Sequence, residues 1–178
     1  NVFLGLVHRL DRPVSGVMVF GKTSKATARH CEQIRTRKIG KVYLAITQGT
    51  PTPPQARLEH WLLKEDQFNL VSIVAPATPD AKHAILDYEV LSSAANLALV
   101  RINLYTGRPH QIRVQMAAIG HPLCGDHRYG PSPESKHEHE NIALCATELT
   151  CLHPTTKKKM TFRCPPPTGK PWDRFAIS

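Results

Sequence analysis

Nowhere in the 178 residues do the roughly 20 apolar residues of a membrane-spanning helix run together, which excludes a helical membrane protein. A charged-then-apolar leader is missing too, and the first residue is Asn1 rather than methionine. The expectation is an excerpt without a signal peptide, truncated at its N-terminus. Paired cysteines are also lacking. Cys31, Cys124, Cys145, Cys151 and Cys164 are odd in number, widely spaced and without a C-x-x-C pair. That pattern suits thiols in a reducing, cytoplasmic setting rather than a disulfide framework. Internal repeats and a convincing linker are absent, so a single domain over residues 1–178 is expected.

Acidic residues are the scarce charge, with 14 against 23 Lys and Arg, for a formal net charge of +9. The excess gathers in residues 1–60 (+7) and 101–130 (+3), whereas residues 61–100 carry −3 and 131–178 carry +2. Cations concentrated in two internal blocks suit a polyanion, of which nucleic acid is the commonest. The plain alternative is a basic surface that serves solubility. With 41% hydrophobic residues the chain has enough apolar surface for a folded core. The nearest approach to a metal cluster is His121, Cys124 and His127, with His137 and His139 beyond. Gly120, Pro122 and Gly125 make that stretch read as a turn, so no metal is expected.

Periodicity predicts a mixed α and β chain. Strands are expected at Leu4–Val7 and Val17–Phe20, then a helix capped by Thr23 or Ser24 and stopped near Gly40. Its inner stripe reads as Ala28, Cys31 and Ile34, with Lys25, Arg29, Arg35 and Arg37 outward. Residues 41–48 alternate, placing Lys41, Tyr43 and Ala45 on one face and Val42, Leu44 and Ile46 on the other. Further strands are expected at Leu58–Leu63, Leu70–Val74, Ala84–Leu91, Leu97–Tyr105, Leu144–Leu149 and Met160–Arg163. Pro109 is placed to open a short helix with Ile112, Met116 and Ile119 buried, and Pro131–Asn141 reads as a polar loop. A short helix is expected near Trp172.

Three polar clusters could carry chemistry. His8-Arg9-Leu10-Asp11-Arg12-Pro13-Val14-Ser15-Gly16 presents Asp11 among cations from a tight turn, the plain alternative being a surface Asp11–Arg12 pair. Lys41-Val42-Tyr43 sets a phenol beside an ammonium, although a tyrosine in a strand is usually packing. Thr106-Gly107-Arg108-Pro109-His110-Gln111-Ile112-Arg113 leads to Gly120-His121-Pro122-Leu123-Cys124-Gly125-Asp126 and Tyr129-Gly130. Arg113, one position round from a buried face, needs a carboxylate, and Asp11 and Asp126 are the candidates.

Together HRLDRPVSG, KVYLA, TGRPHQIRVQ and GHPLCGDHRYG resemble the RluA-like family of RNA pseudouridine synthases, from about Val7 to about Pro165. The resemblance implies an α+β fold: a mixed, largely antiparallel sheet with flanking helices and a central cleft. It implies isomerisation of specific uridines in ribosomal or transfer RNA without metal or organic cofactor. Asp11 matches the essential aspartate, Tyr43 the tyrosine against the uracil ring, Arg113 the arginine paired with the aspartate, and Arg9 the arginine that fills the gap left by the extruded nucleotide. Arg12, Lys41, Arg108 and His110 are the further expected RNA contacts. Val14, Cys145 and Gln115 depart from residues many members carry (Thr, His and His), none at a position assigned to chemistry.

Aspartates are ordinarily ionised at neutral pH, so the service expected of Arg113 is to orient Asp11, not to deprotonate it. A tyrosine is a poor base at neutral pH, so Tyr43 is expected to position first and to carry a proton second. Two rivals from other classes are a non-catalytic RNA-binding protein on the same scaffold and a metal-dependent nuclease using Asp11, Asp126 and the histidines. RNA is the expected partner of a monomer without membrane association.

Overall fold

The computed structural model describes residues 3–130 and 141–177. The polar loop expected at Pro131–Asn141, with His137 and His139, falls outside the described residues except for Asn141.

Alternation of apolar side chains makes strands the commonest regular element of the chain. The elements are β1 (Gly5–Leu6), β2 (Ser15–Gly16), β3 (Phe20–Gly21), α1 (Ser24–Arg35), β4 (Gly40–Gln48), β5 (Gln55–Glu65), β6 (Leu70–Val74), β7 (Lys82–Ala94), β8 (Leu97–Leu104), α2 (Gln111–Ala118), β9 (Leu144–Leu152) and β10 (Lys159–Arg163). A single 3₁₀ turn at Trp172–Arg174 follows. Seven strands form one path in the order β10-β9-β4-β8-β7-β5-β6, with every neighbouring pair antiparallel. The parallel pairing of β2 along β9 makes the sheet mixed.

Both faces of this sheet are covered, which is why the period-2 pattern is apolar on either side. One face buries Tyr43, Ala45, Val100, Ile102 and Leu144 against Ile112 and Met116 of α2. The other buries Ile46, Leu97, Leu99 and Cys145 against Trp172 and Phe175 near the C-terminus. Each fully buried aliphatic side chain contributes about 1.5–3 kcal/mol. Tyr43 and the helix that carries Arg113 belong to the first of these layers.

Three local expectations are corrected. Val17–Phe20 is not one strand: pairing is limited to Ser15–Gly16 and Phe20–Gly21, and Val19 N–H instead donates to His8 Nε2 at 3.1 Å. Helix α1 is capped by the Thr23 hydroxyl, which accepts from Ala26 N–H, but it ends at Arg35. Its buried residues are His30 and Gln33, while Ala28 and Cys31 are exposed. Gln33 can face inward because its amide donates to Leu152 C=O at 2.9 Å and accepts from Leu152 N–H at 2.8 Å. Both halves of the polar group are then satisfied by strand β9. Pro109 lies before α2: the cap is His110, left-handed at φ 50°, a conformation histidine tolerates better than most residues.

Gly16 carries the segment that holds Asp11 onto the sheet. Its φ is +132°, and a Cβ there would stand 2.4 Å from the Ala146 carbonyl oxygen. Gly16→Ala is therefore expected to lower the urea midpoint, by a stability loss of about 1–3 kcal/mol from backbone strain alone. An unchanged midpoint would show that this edge of the sheet adapts freely.

Candidate active site

Asp11 sits in the segment between β1 and β2. Val14 N–H donates to the Asp11 carbonyl at 2.9 Å, closing a turn, and Leu10 and Val14 pack on the core beneath it. That anchoring leaves the carboxylate 30% exposed at the mouth of a cavity of about 250 Å³. Tyr43 from β4, Arg113 from α2, and Arg9, Lys41, Arg108 and His110 line the same cavity. Arg12 lies outside it, on a wider adjoining cleft of about 980 Å³ that also reaches Arg9, Asp11, His110 and Arg113. The structure thus brings Asp11, Tyr43 and Arg113 together.

Arg113 is pinned on three sides. Its Nε and Nη2 donate to Asp126 Oδ2 and Oδ1 at 2.8 and 2.7 Å, a bidentate pair with side chains only 8% and 1% exposed. Its remaining nitrogen, Nη1, stands 3.8 Å from Asp11 Oδ2, an ion pair longer than a hydrogen bond. The guanidinium carbon lies 5.2 Å from the centre of the Tyr129 ring. Two corners of the fork are committed to Asp126 and the third is aimed at Asp11.

The two candidate carboxylates for Arg113 are therefore both used, and unequally. Asp126 also closes a turn by accepting Arg128 and Tyr129 N–H at Oδ1. Burial alone would raise the Asp126 pKa. The Arg113 bonds and charge, with those two N–H donors, outweigh it and hold the carboxyl below its ordinary range. For Arg113 burial acts against the cation, and Asp126 more than restores it.

The loop before α2 is held as firmly. Gln111 Oε1 accepts from the Thr106 hydroxyl at 2.8 Å and from Arg108 N–H at 3.1 Å, while its amide donates to Ile85 C=O at 3.1 Å. His110 Nδ1 and the Tyr129 hydroxyl are 2.8 Å apart, and that hydroxyl accepts from Val71 N–H. Burial lowers the His110 pKa, against the opposing charge of Asp11.

Tyr43 is 8% exposed. Burial first, and the Asp11 charge second, push its phenol up to about 12. It stays protonated at neutral pH, so it can donate a hydrogen bond or pack against a ring. A register shift between β4 and β9 falls between Val42 and Tyr43, and the unpaired residue opposite is Thr147. Such bulges commonly re-aim a side chain beside a functional site. Lys41 is brought down to about 8 by burial, then by the charge of Arg108. Its Nζ donates to Thr106 C=O at 3.4 Å.

Among the described residues no three His, Cys, Asp or Glu side chains are grouped as metal ligands. His121 is occupied otherwise, its Nδ1 lying 3.0 Å from Gln48 C=O. What the sequence reading missed is Asp126 as the principal partner of Arg113, and Tyr129 and Gln111 as the groups that set the surrounding geometry. The sequence offered Asp126 as one of two candidate carboxylates for Arg113, and the resemblance assigned the arginine to Asp11 instead.

Comparison with known proteins shows the family and the fold. Residues 2–118 match the family model described as RNA pseudouridylate synthase. The chain is 38% identical over 160 residues to the dual-specificity RNA pseudouridine synthase RluA of Escherichia coli, covering 89% of this chain and 72% of that protein. It is 33% identical over 189 residues to the chloroplastic RNA pseudouridine synthase 2 of Arabidopsis thaliana, covering 92% of this chain but 44% of that protein. It therefore spans less than half the length of that plant relative. Human RNA pseudouridylate synthase domain containing 4 superposes with a TM-score of 0.75 at 26% identity, covering 92% of this chain and 72% of that one. The human domain-containing 1 protein superposes at 0.79 and, at 23% identity, supports the fold alone.

Proposed function

Because the chain belongs to the RNA pseudouridylate synthase family, we propose that it isomerises uridines in structured ribosomal or transfer RNA to pseudouridine, with Asp11 as the essential carboxylate. The observation that carries this reading is the cavity itself. Among the described residues, Asp11 is the single carboxylate in a lining that holds Arg9, Lys41, Arg108 and Arg113 as cations and Tyr43 as a ring.

The reaction breaks the ribose C1′–N1 bond, turns the uracil and joins C1′ to C5. C5 gives up a proton and N1 gains one, so atoms balance with no oxidant or cofactor. Heterolysis leaves positive charge on the ribose and negative charge on the uracil. A lone carboxylate suits the first and buried cations suit the second, and both are strongest where water is excluded. Arg113 fixes the carboxylate in one orientation while Asp126 bears most of the cost of burying the guanidinium. Tyr43, locked in its neutral form, supports the ring as it turns.

Reaching a stacked uridine requires flipping it out, at a cost of a few kcal/mol. Arg9, exposed beside Asp11, is placed to occupy the vacated position. Arg12, Arg108 and His110 supply the remaining contacts to the strand, and the continuous sheet beneath supports reading the chain as one catalytic unit. The test is direct: purified chain with unmodified ribosomal and transfer RNA transcripts, nucleosides resolved by chromatography. Absence of pseudouridine above the level of the Asp11→Asn variant would overturn the reading.

A pH dependence follows from Lys41. With its pKa lowered to about 8, it is charged below that pH and neutral above it. kcat/KM is therefore expected to fall as pH rises through about 8, and Lys41→Arg, charged throughout, is expected to flatten that limb. An identical fall in the arginine variant would mean another group titrates.

A further inference from the structure

The wider cleft opening from Asp11 ends against the hairpin that joins β5 to β6. Lys64 and Asn69 of that hairpin line it together with Arg9, Arg12 and Arg128. Phe68 sits in the turn at its tip and is 65% exposed. Glycine, asparagine and aspartate are the usual occupants of such a turn, and an aromatic ring there gains nothing from burial.

The tip is held in place by the same turn that holds Arg113. Arg128 Nη1 donates to the carbonyls of Phe68 and Asn69 at 3.0 and 3.1 Å. Arg128 N–H donates to Asp126, and Val71 N–H donates to the Tyr129 hydroxyl. The ring is thus carried on a backbone tied to the carboxylate that positions Arg113.

We propose that Phe68 is a stacking platform for an unpaired base neighbouring the target uridine, so that this chain acts on uridines beside single-stranded nucleotides. The proposal rests on the synthase reading and narrows its substrate class.

Charge decides the kind of partner. Among the described residues, the cleft lining holds five cations, Arg9, Arg12, Lys64, Arg113 and Arg128, against the single carboxylate Asp11. An exposed ring on the hairpin whose Lys64 and Asn69 line a cationic cleft matches phosphates followed by a base, the usual arrangement for single-stranded RNA. A protein-docking face would instead present a contiguous apolar patch. Lys64 is ion-paired with the exposed Asp66, so the tip adds little net charge and its contribution comes from the ring.

The test is equilibrium titration of a fluorescently labelled RNA hairpin with an all-uridine loop, repeated over a range of salt. Phe68→Ala is expected to weaken binding about 10-fold with the salt slope unchanged, and Phe68→Trp to restore it. Arg12→Ala is expected to do something different: lower the log–log salt slope by about 1, as loss of a phosphate contact does. Unchanged affinity in Phe68→Ala would overturn the platform, including the case in which the ring serves a protein partner. So would wild-type affinity in Phe68→Leu, since a generic apolar contact needs no π-face. These failures are distinct from failure of the synthase reading, which would appear as no pseudouridine formed by the wild-type chain.

Discussion

Asp11→Asn is expected to abolish pseudouridine formation while leaving the protein folded. The substitution is nearly isosteric, and the turn that presents residue 11 uses its backbone carbonyl, which is kept. The side chain is 30% exposed, and its contact with Arg113 is a 3.8 Å ion pair without hydrogen-bond geometry. Losing it leaves Arg113 still satisfied by Asp126, so stability is expected to change by no more than about 1 kcal/mol. Turnover is expected to fall by about 10⁴-fold or more, the scale of removing a charged group that acts on the reacting atoms. RNA affinity gives an independent reading: deleting an anion from a lining rich in cations is expected to leave binding equal or tighter. Wild-type-like turnover by the asparagine variant would remove Asp11 from the mechanism.

The second large effect belongs to Asp126, a residue that touches no substrate in this reading. Its carboxylate accepts two bonds from Arg113 and two from backbone N–H groups in a site where it is 1% exposed. Asp126→Ala strands a buried guanidinium, at a cost of about 3–5 kcal/mol. It is expected to lower both the denaturation midpoint and the rate. Since part of that loss is simply unfolding, the informative construction is the double variant Arg113→Met, Asp126→Leu. Replacing a buried ion pair wholesale by apolar residues is often close to neutral for stability. The double variant is thus expected to regain most of the midpoint and none of the turnover. Recovery of both would mean the pair serves only the fold. The wild-type pair also has a pH signature. A carboxyl held below its ordinary range contributes stability that is fully present above that range and is lost as the solution is acidified through the lowered value.

Most strands were legible from alternation, because a strand between two covered faces must place every second side chain in each layer. Residues 41–48 show this: Tyr43 and Ala45 enter one core cluster, Ile46 and Leu44 the other. The Thr23 cap was equally readable, since a hydroxyl three residues before the N–H it accepts is a local relation. The inner face of α1 was not. Its apolar spacing pointed to Ala28 and Cys31, whereas Gln33 is buried through bonds to Leu152, 119 residues away. The start of α2 shifted because the Gln111 amide knots the preceding loop to Ile85 and Thr106.

For the site, the sequence by itself supplied the candidates, a carboxylate, a ring and a guanidinium in separate motifs, and their proposed roles came from the resemblance those motifs carry. Only the tertiary structure decided how they are joined. It gave Arg113 to Asp126 first and aimed one remaining nitrogen at Asp11, and it set Phe68 beside the cationic cleft. Those relations depend on which segments the sheet order brings side by side. That order is settled by burial summed over the whole chain, which no short stretch of residues records.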